Sequence, residues 1–148
     1  MAQDIKRELE DIAQRCFCLH SRMAARAVTR LYNAALAPLG LEVTEFTLLA
    51  AVEYGKMGSI AELAERLAFE RTTLVRNLKR LAERGLIVKA KGGGRAVNYV
   101  VSAAGRRLLR QALPVWEAAQ GGVERRMAKG EPAAVLGSLG GLRRAVRV

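Results

Sequence analysis

From Ser59 to Gly85 the chain carries, in quick succession, the start and stop signals of two short helices. Ser59-Ile60-Ala61-Glu62 has the spacing of a capping box. In that motif the hydroxyl accepts from the amide three residues on, while Glu62 reaches back to the Ser59 amide. The helix begun there, Ile60 to Leu67, puts Ile60, Leu63, Ala64 and Leu67 on one face. After Ala68-Phe69-Glu70 a second helix runs from Arg71 to Arg84 and stops at Gly85, a favourable residue just past a helix end. Two short helices joined by a tight turn make a helix-turn-helix candidate.

The flanks extend the pattern. Leu86 to Ala90 and Ala96 to Val101 shift to β-type residues, and between them Lys91-Gly92-Gly93-Gly94-Arg95 reads as a basic hairpin tip. Upstream, Asp4 to about Ala37 reads as one long helix with an apolar seam through Ile5, Leu9, Ile12, Cys16, Leu19, Met23, Ala27, Leu31 and Ala34. A seam of that length wants another helix against it. Pro38-Leu39-Gly40 ends it. Thr44 is the expected N-cap of a helix from Glu45 to about Tyr54, with Phe46, Leu48, Leu49 and Val52 for the core. Downstream, Ser102 caps a helix from Ala103 with a kink expected at Pro114, and Gly121-Gly122 leaves its later part open. A last helix is expected from Pro132 onward. The fold class is mainly α with a small β-hairpin wing. A winged helix-turn-helix lobe spans about 41–105, flanked by N- and C-terminal helices at about 4–37 and 106–148.

Charge locates the function. Of the formal net charge of +11, the stretch from Arg71 to Arg110 holds eleven basic residues against a single acid, Glu83. Residues 1–70 carry eight basic and ten acidic side chains. A field this concentrated is the footprint of a phosphate-binding surface.

On the second short helix Leu74, Val75, Leu78 and Leu81 share the face expected to pack inward. At 100° per residue Thr73, Arg76, Arg80 and Glu83 point away, with Thr72, Asn77 and Lys79 on the flanks. Arginine reaches guanine O6 and N7 bidentately, and asparagine pairs with adenine N6 and N7. Hydroxyls and the helix N-terminus suit phosphates. The candidate contacts to double-stranded DNA are therefore Ser59, Arg71, Thr72, Thr73, Arg76, Asn77, Lys79 and Arg80, joined from the hairpin by Lys89, Lys91 and Arg95. Arg95 is suited to a narrow minor groove.

Other classes find little support. One histidine, no clustered carboxylates and no Gly-Lys-Ser/Thr phosphate loop leave no catalytic set, no cofactor and no metal site. Cys16-x-Cys18-x-His20 alternates on a helix and splays its side chains, unlike a zinc site. Apolar runs stop well short of the ~20 residues of a membrane span, and the first residues have no secretory h-region. The expectation is a cytoplasmic protein without membrane contact.

The whole order of elements resembles the MarR family of bacterial transcription regulators. The residues carrying the resemblance are Leu63-Ala64 and Leu67, Thr73-Leu74-Val75, Leu78, Leu81, Arg84-Gly85-Leu86-Ile87, and Arg95 with Ser102-Ala103-Ala104-Gly105. It implies that the first and last helices are dimerisation helices joining a homodimer, and a pseudo-palindromic operator with half-sites about one turn (~10 bp) apart. The wing departs from the family's usual Asp-x-Arg tip, because Gly92, Gly93 and Gly94 precede Arg95.

The resemblance further implies a repressor released by a signal. In one reading a small amphipathic or aromatic anion binds between the dimer helices and the DNA lobe, where His20, Arg22 and Arg26 are candidates to meet its carboxylate. In the other, the signal is a peroxide. Aligned on Tyr32, Cys18 falls where the family's organic hydroperoxide regulators keep a reactive cysteine, and Arg22 fills the position of a second supporting tyrosine. A nearby cation raises a thiol's thiolate fraction. A sequence-neutral architectural DNA binder is the remaining alternative.

Overall fold

The computed structural model describes residues 2–54, 59–90 and 99–146. Seven helices and one hairpin run α1 (Ala2–Arg15), α2 (Phe17–Leu36), α3 (Val43–Glu53), α4 (Ile60–Leu67), α5 (Arg71–Glu83), β1 (Ile87–Lys89), β2 (Tyr99–Val101), α6 (Ala103–Glu124) and α7 (Glu131–Ala145). The architecture is mainly helical with a two-stranded antiparallel hairpin, as the sequence pattern implies. Among the described residues no single helix is long and apolar enough to cross a membrane.

The expected long N-terminal helix is two helices. At Cys16 the backbone turns extended (φ −74°, ψ 105°), and its sulfur accepts the Leu19 amide at 3.4 Å, capping α2. His20 closes the joint from the other side, its Nε2 lying 3.0 Å from the Ala13 carbonyl and 3.1 Å from that of Gln14. Carbonyls at a helix end have no partner within the helix, and the imidazole supplies one. The apolar seam continues across this joint without being covered: Ile5, Leu9, Ile12, Leu19 and Met23 are all exposed in the single chain.

Past a short 3₁₀ turn, Gly40 adopts the left-handed conformation (φ 63°) and α3 begins. Its N-cap is Glu42 rather than Thr44. The Glu42 amide donates to Glu45 Oε2 at 3.1 Å, and the Val43 amide donates to Asn33 Oδ1 at 2.8 Å. An acid three residues on and an asparagine from α2 thus satisfy the first amides of a helix that starts two residues earlier than expected. Phe46, Leu48, Leu49 and Val52 are buried as expected.

α4 has the expected bounds, and the Ser59 hydroxyl accepts the Glu62 amide at 3.1 Å. It ends on Ala68, a non-glycine residue in the left-handed region (φ 55°). α5 ends in a Schellman-type closure: Gly85 at φ 68°, its amide bonded to the Ala82 carbonyl and the Leu86 amide to that of Leu81. In the hairpin Ile87 pairs with Val101, Val88 with Val100 and Lys89 with Tyr99. The hairpin tip from Lys91 to Arg95 lies outside the described residues.

Ser102 locks this lobe to α6. Its hydroxyl donates to the Gly85 carbonyl at 2.6 Å and accepts the Gly105 amide at 3.0 Å, while its own amide donates to the Leu86 carbonyl. α6 runs unbroken past Pro114, Gly121 and Gly122. Trp116 on α6 stacks against both Tyr32 of α2 and Phe46 of α3, centroids 6.3 and 6.4 Å away. One apolar core, from Leu36 and Leu49 through Leu74 and Leu78 to Ile87 and Leu109, therefore fixes α5 relative to every neighbouring element.

Candidate nucleic-acid interface

α5 is anchored by Leu74, Leu78 and Leu81, none of which retains meaningful solvent exposure. That fixes which side chains face outward. Arg71, Thr72, Val75, Arg76, Lys79 and Arg80 are exposed, whereas Thr73 and Asn77 are half-buried on a flank. Val75, expected inside with the leucines, is 46% exposed. It lies about 100° from Leu74 around the helix, beyond the edge of the packed stripe. The outward surface thus centres on Arg76, with Thr72 one turn before it and Lys79 beside it. Val75 adds methyl groups suited to a thymine methyl.

The cations on this helix are not equivalent. Lys79 pairs with Glu83 at 3.7 Å on an exposed surface, an arrangement worth little and readily exchanged. Arg80 lies 3.8 Å from Glu45 and Arg84 lies 2.8 Å from it, so both lean toward the α2–α3 junction. Arg71 and Arg76 make no ion pair among the described residues. The sequence pattern alone does not single out Glu45 and Arg84. The available signal was the Glu42-Val43-Thr44-Glu45 spacing, which resembles a capping pair with an acid at each end.

The half-buried Ser59 uses its oxygen to cap α4, leaving the hydroxyl proton free to donate. Lys89 is exposed at the end of β1, and Lys91 and Arg95 lie outside the described residues. No group of three or more His, Cys, Asp or Glu side chains able to hold a metal occurs among the described residues.

The effector candidates do not converge in the single chain. His20 is committed to the end of α1, and Arg22 and Arg26 are exposed along α2. Cys18 is exposed at an apolar groove of about 530 Å³ between the start of α2 and the end of α7, lined also by Phe17, Ser21, Leu139 and Leu142. Tyr32 lies fourteen residues further along α2, roughly 21 Å at 1.5 Å per residue. Its hydroxyl donates to Gln120 Oε1 on α6, and Gln120 Nε2 donates to Glu124 at 2.7 Å. Burial, with a smaller contribution from Glu124, raises the Tyr32 pKa above its usual value. Within one chain, then, Tyr32 does not support the Cys18 thiol. A second cleft, of about 420 Å³, opens between α3 and α6. Ala50, Leu109 and Leu113 form its apolar floor, and Arg106 and Arg110 stand at its side. Arg106 is held by Glu53 at 2.8 and 3.1 Å.

Comparison with known proteins agrees with this geometry. The MarR family model matches residues 39–96, a span that holds α3, α4, α5 and β1. The Mycobacterium tuberculosis transcriptional regulator MosR is 32% identical, with 90% of this chain and 98% of that one covered and a TM-score of 0.77. The M. tuberculosis MarR family protein RV2887, solved in complex with salicylic acid, is 25% identical over 85% of this chain and 95% of its own (TM-score 0.65). CouR from Rhodococcus jostii RHA1, solved bound to p-coumaroyl-CoA, shares the fold at 21% identity (91% and 96% covered, TM-score 0.74). Among curated proteins none matches the chain. With a close structural relative aligned over nearly its full length and the family's own pattern across the helix-turn-helix, the chain belongs to the MarR family of transcriptional regulators, which are not enzymes.

Proposed function

We propose that the chain is a sequence-specific, homodimeric repressor that binds double-stranded operator DNA and is released by a small amphipathic or aromatic ligand. The observation that carries the DNA reading is the outward face of α5. Thr72, Val75, Arg76 and Lys79 project from a helix whose opposite side is wholly buried in the core. A recognition helix needs that combination, because base readout depends on side chains held in fixed register. Arg76 takes the base-edge role, Arg71 and Thr72 near the helix start suit phosphates, and the lobe at about 41–105 is the reading unit. The uncovered apolar seam of α1 and α2, with Leu136 and Leu139 of α7, supports the dimer.

The ligand reading rests on the cleft between α3 and α6. Its floor is apolar, and Arg110 stands where it can meet a carboxylate. Salicylic acid and p-coumaroyl-CoA in the two related structures are anions with aromatic bodies. Selection from a random duplex pool, followed by competition titration, tests the first part. A repressor retains a preference of ~10³-fold or more for its selected site, whereas equal binding to all duplexes establishes the architectural alternative. Salicylate added to the complex tests the second part, through release of DNA.

The exposed Cys18 favours a second reading, a peroxide-sensing repressor. Peroxide-dependent release that persists unchanged in Cys18→Ser rules it out.

A further inference from the structure

Glu45 sits in the first turn of α3, 4% exposed, with its carboxylate turned to the flank of α5. Its two oxygens are in different situations. Oε2 accepts the Glu42 amide at 3.1 Å and faces Arg84 Nη1 at 2.8 Å. Arg84 is fixed a second time, with Nη2 donating to the Gly40 carbonyl at 2.8 Å. Oε1 is buried and accepts no hydrogen bond among the described residues. The Arg80 guanidinium stands 3.8 Å from it, too far for a hydrogen bond but close enough for an ion pair. The Arg80 side chain itself is 54% exposed.

A buried carboxylate is costly unless cations stay beside it. Arg84 serves one oxygen, and Arg80 is the cation facing the other. A DNA phosphate approaching α5 asks for the same guanidinium. The exposed Glu83 can release Lys79 at little cost, because water takes over its solvation, but the buried Glu45 has no such substitute.

We propose that Glu45 is an internal competitor for DNA phosphates: it withholds Arg80 from the backbone, while Arg84 stays anchored on the Gly40 carbonyl, so that α5 meets the duplex with Arg71, Arg76 and Lys79. The inference rests on the DNA-binding reading above. Phosphate neutralisation gives affinity without regard to sequence. Withholding this cation therefore lowers the sequence-neutral part of binding and leaves a larger share to the base contacts of Arg76. Glu45 touches no DNA in this scheme and acts through Arg80.

The salt dependence of binding to a random-sequence duplex reads the number of phosphates neutralised, each contributing a slope of about −0.9 in log K against log salt. In the full-length protein Arg80→Ala leaves the wild-type slope unchanged, since that arginine is already occupied. Glu45→Gln, which keeps shape and an acceptor for the Glu42 amide, steepens the slope by about 0.9 for each lobe on the duplex, about 1.8 for the dimer, and adding Arg80→Ala to it restores the wild-type value. A purely structural glutamate would instead lower affinity and melting temperature without steepening the slope. If Arg80→Ala alone flattens the slope by about 0.9 for each lobe, or Glu45→Gln leaves it unchanged, the proposal is overturned. Should Glu45→Gln fail to fold, the Arg80→Ala slope decides alone. Absence of salt-dependent binding in the wild type is a different failure: it removes the DNA-binding reading itself, and this inference with it.

Discussion

Gly105, in the first turn of α6, lies against the Leu86 backbone so closely that a Cβ there would drive into the Leu86 carbonyl oxygen and stand 2.6 Å from Val101 Cγ1. The obstacle is backbone, which cannot swing aside as a long side chain would. This contact, with the Ser102 hydroxyl bridging Gly85 and Gly105, sets the end of α5 and the base of the hairpin against α6. Gly105→Ala is expected to destabilise by ~1–3 kcal/mol, or several degrees of melting temperature at this chain length. Thermal unfolding measures it. An unchanged transition would mean that the lobe and α6 separate freely.

Ala68 presents the opposite case. It closes α4 in the left-handed region (φ 55°, ψ 41°), and its side chain is exposed. An L-residue pays roughly 1–2 kcal/mol there, while glycine gives back ~0.5–1 kcal/mol through its greater unfolded-state freedom. Ala68→Gly is therefore expected to stabilise by about 0.5–1 kcal/mol. A lowered midpoint in denaturant titration would contradict this.

These two sites show what was legible in the sequence. The helix-turn-helix was readable because its boundaries are local: Ser59 caps by its own hydroxyl, and Gly85 ends α5 by its own backbone freedom. The joint at Cys16 was hidden. The apolar spacing continues across it, and its stabilising contacts come from a sulfur and from His20 seven residues beyond Ala13. Val75 was misplaced because an apolar residue at the edge of a stripe need not turn inward, and periodicity alone does not say how wide the neighbouring element is. Glu45 was missed for a tertiary reason. Its partners Arg80 and Arg84 are 35 and 39 positions away, and only the packed fold brings them together.

Tyr32 gives a pH dependence with a definite sign. Its pKa in the folded chain is raised, first by burial and then by Glu124. The folded state therefore holds this proton to higher pH than the unfolded state does. The associated stability is fully present below the unfolded value near 10 and is lost as pH rises through the folded value. Unfolding free energies measured across the alkaline range should fall more steeply for wild type than for Tyr32→Phe. Below that range the phenylalanine variant is the weaker by about 1 kcal/mol, through loss of the bond to Gln120. Parallel curves would show that Tyr32 does not titrate differently on folding.

Arg76 is the sharpest test of the interface. It projects from the centre of the outward face of α5 and has no ion-pair partner among the described residues, so its removal leaves no internal charge uncompensated. Arg76→Ala is expected to weaken binding to the selected duplex by ~1–3 kcal/mol and to relax preference at one base pair. Melting temperature should stay near that of wild type. Duplex titrations with single base-pair changes check both effects. Weakening that is uniform across every sequence would assign Arg76 to the backbone instead.

The proposed dimer is tested on the uncovered seam of α1. Leu9 and Ile12 on α1 are exposed in the single chain, and neither contributes to the core that holds α5. Charging both, as Leu9→Glu with Ile12→Glu, should leave the helical content and the folding of the lobe unchanged while shifting sedimentation from dimer to monomer. The consequence for DNA follows from geometry. Two lobes tied together engage the second half-site as an intramolecular event, which is worth ~10²–10⁴ in affinity when both sites are spanned. The monomeric variant should lose that factor on a two-half-site duplex and retain wild-type affinity for an isolated half-site. A variant that sediments as wild type would place the dimer contact elsewhere. A wild-type chain that sediments as a monomer would remove the paired reader, and the exposed seam would then need another partner.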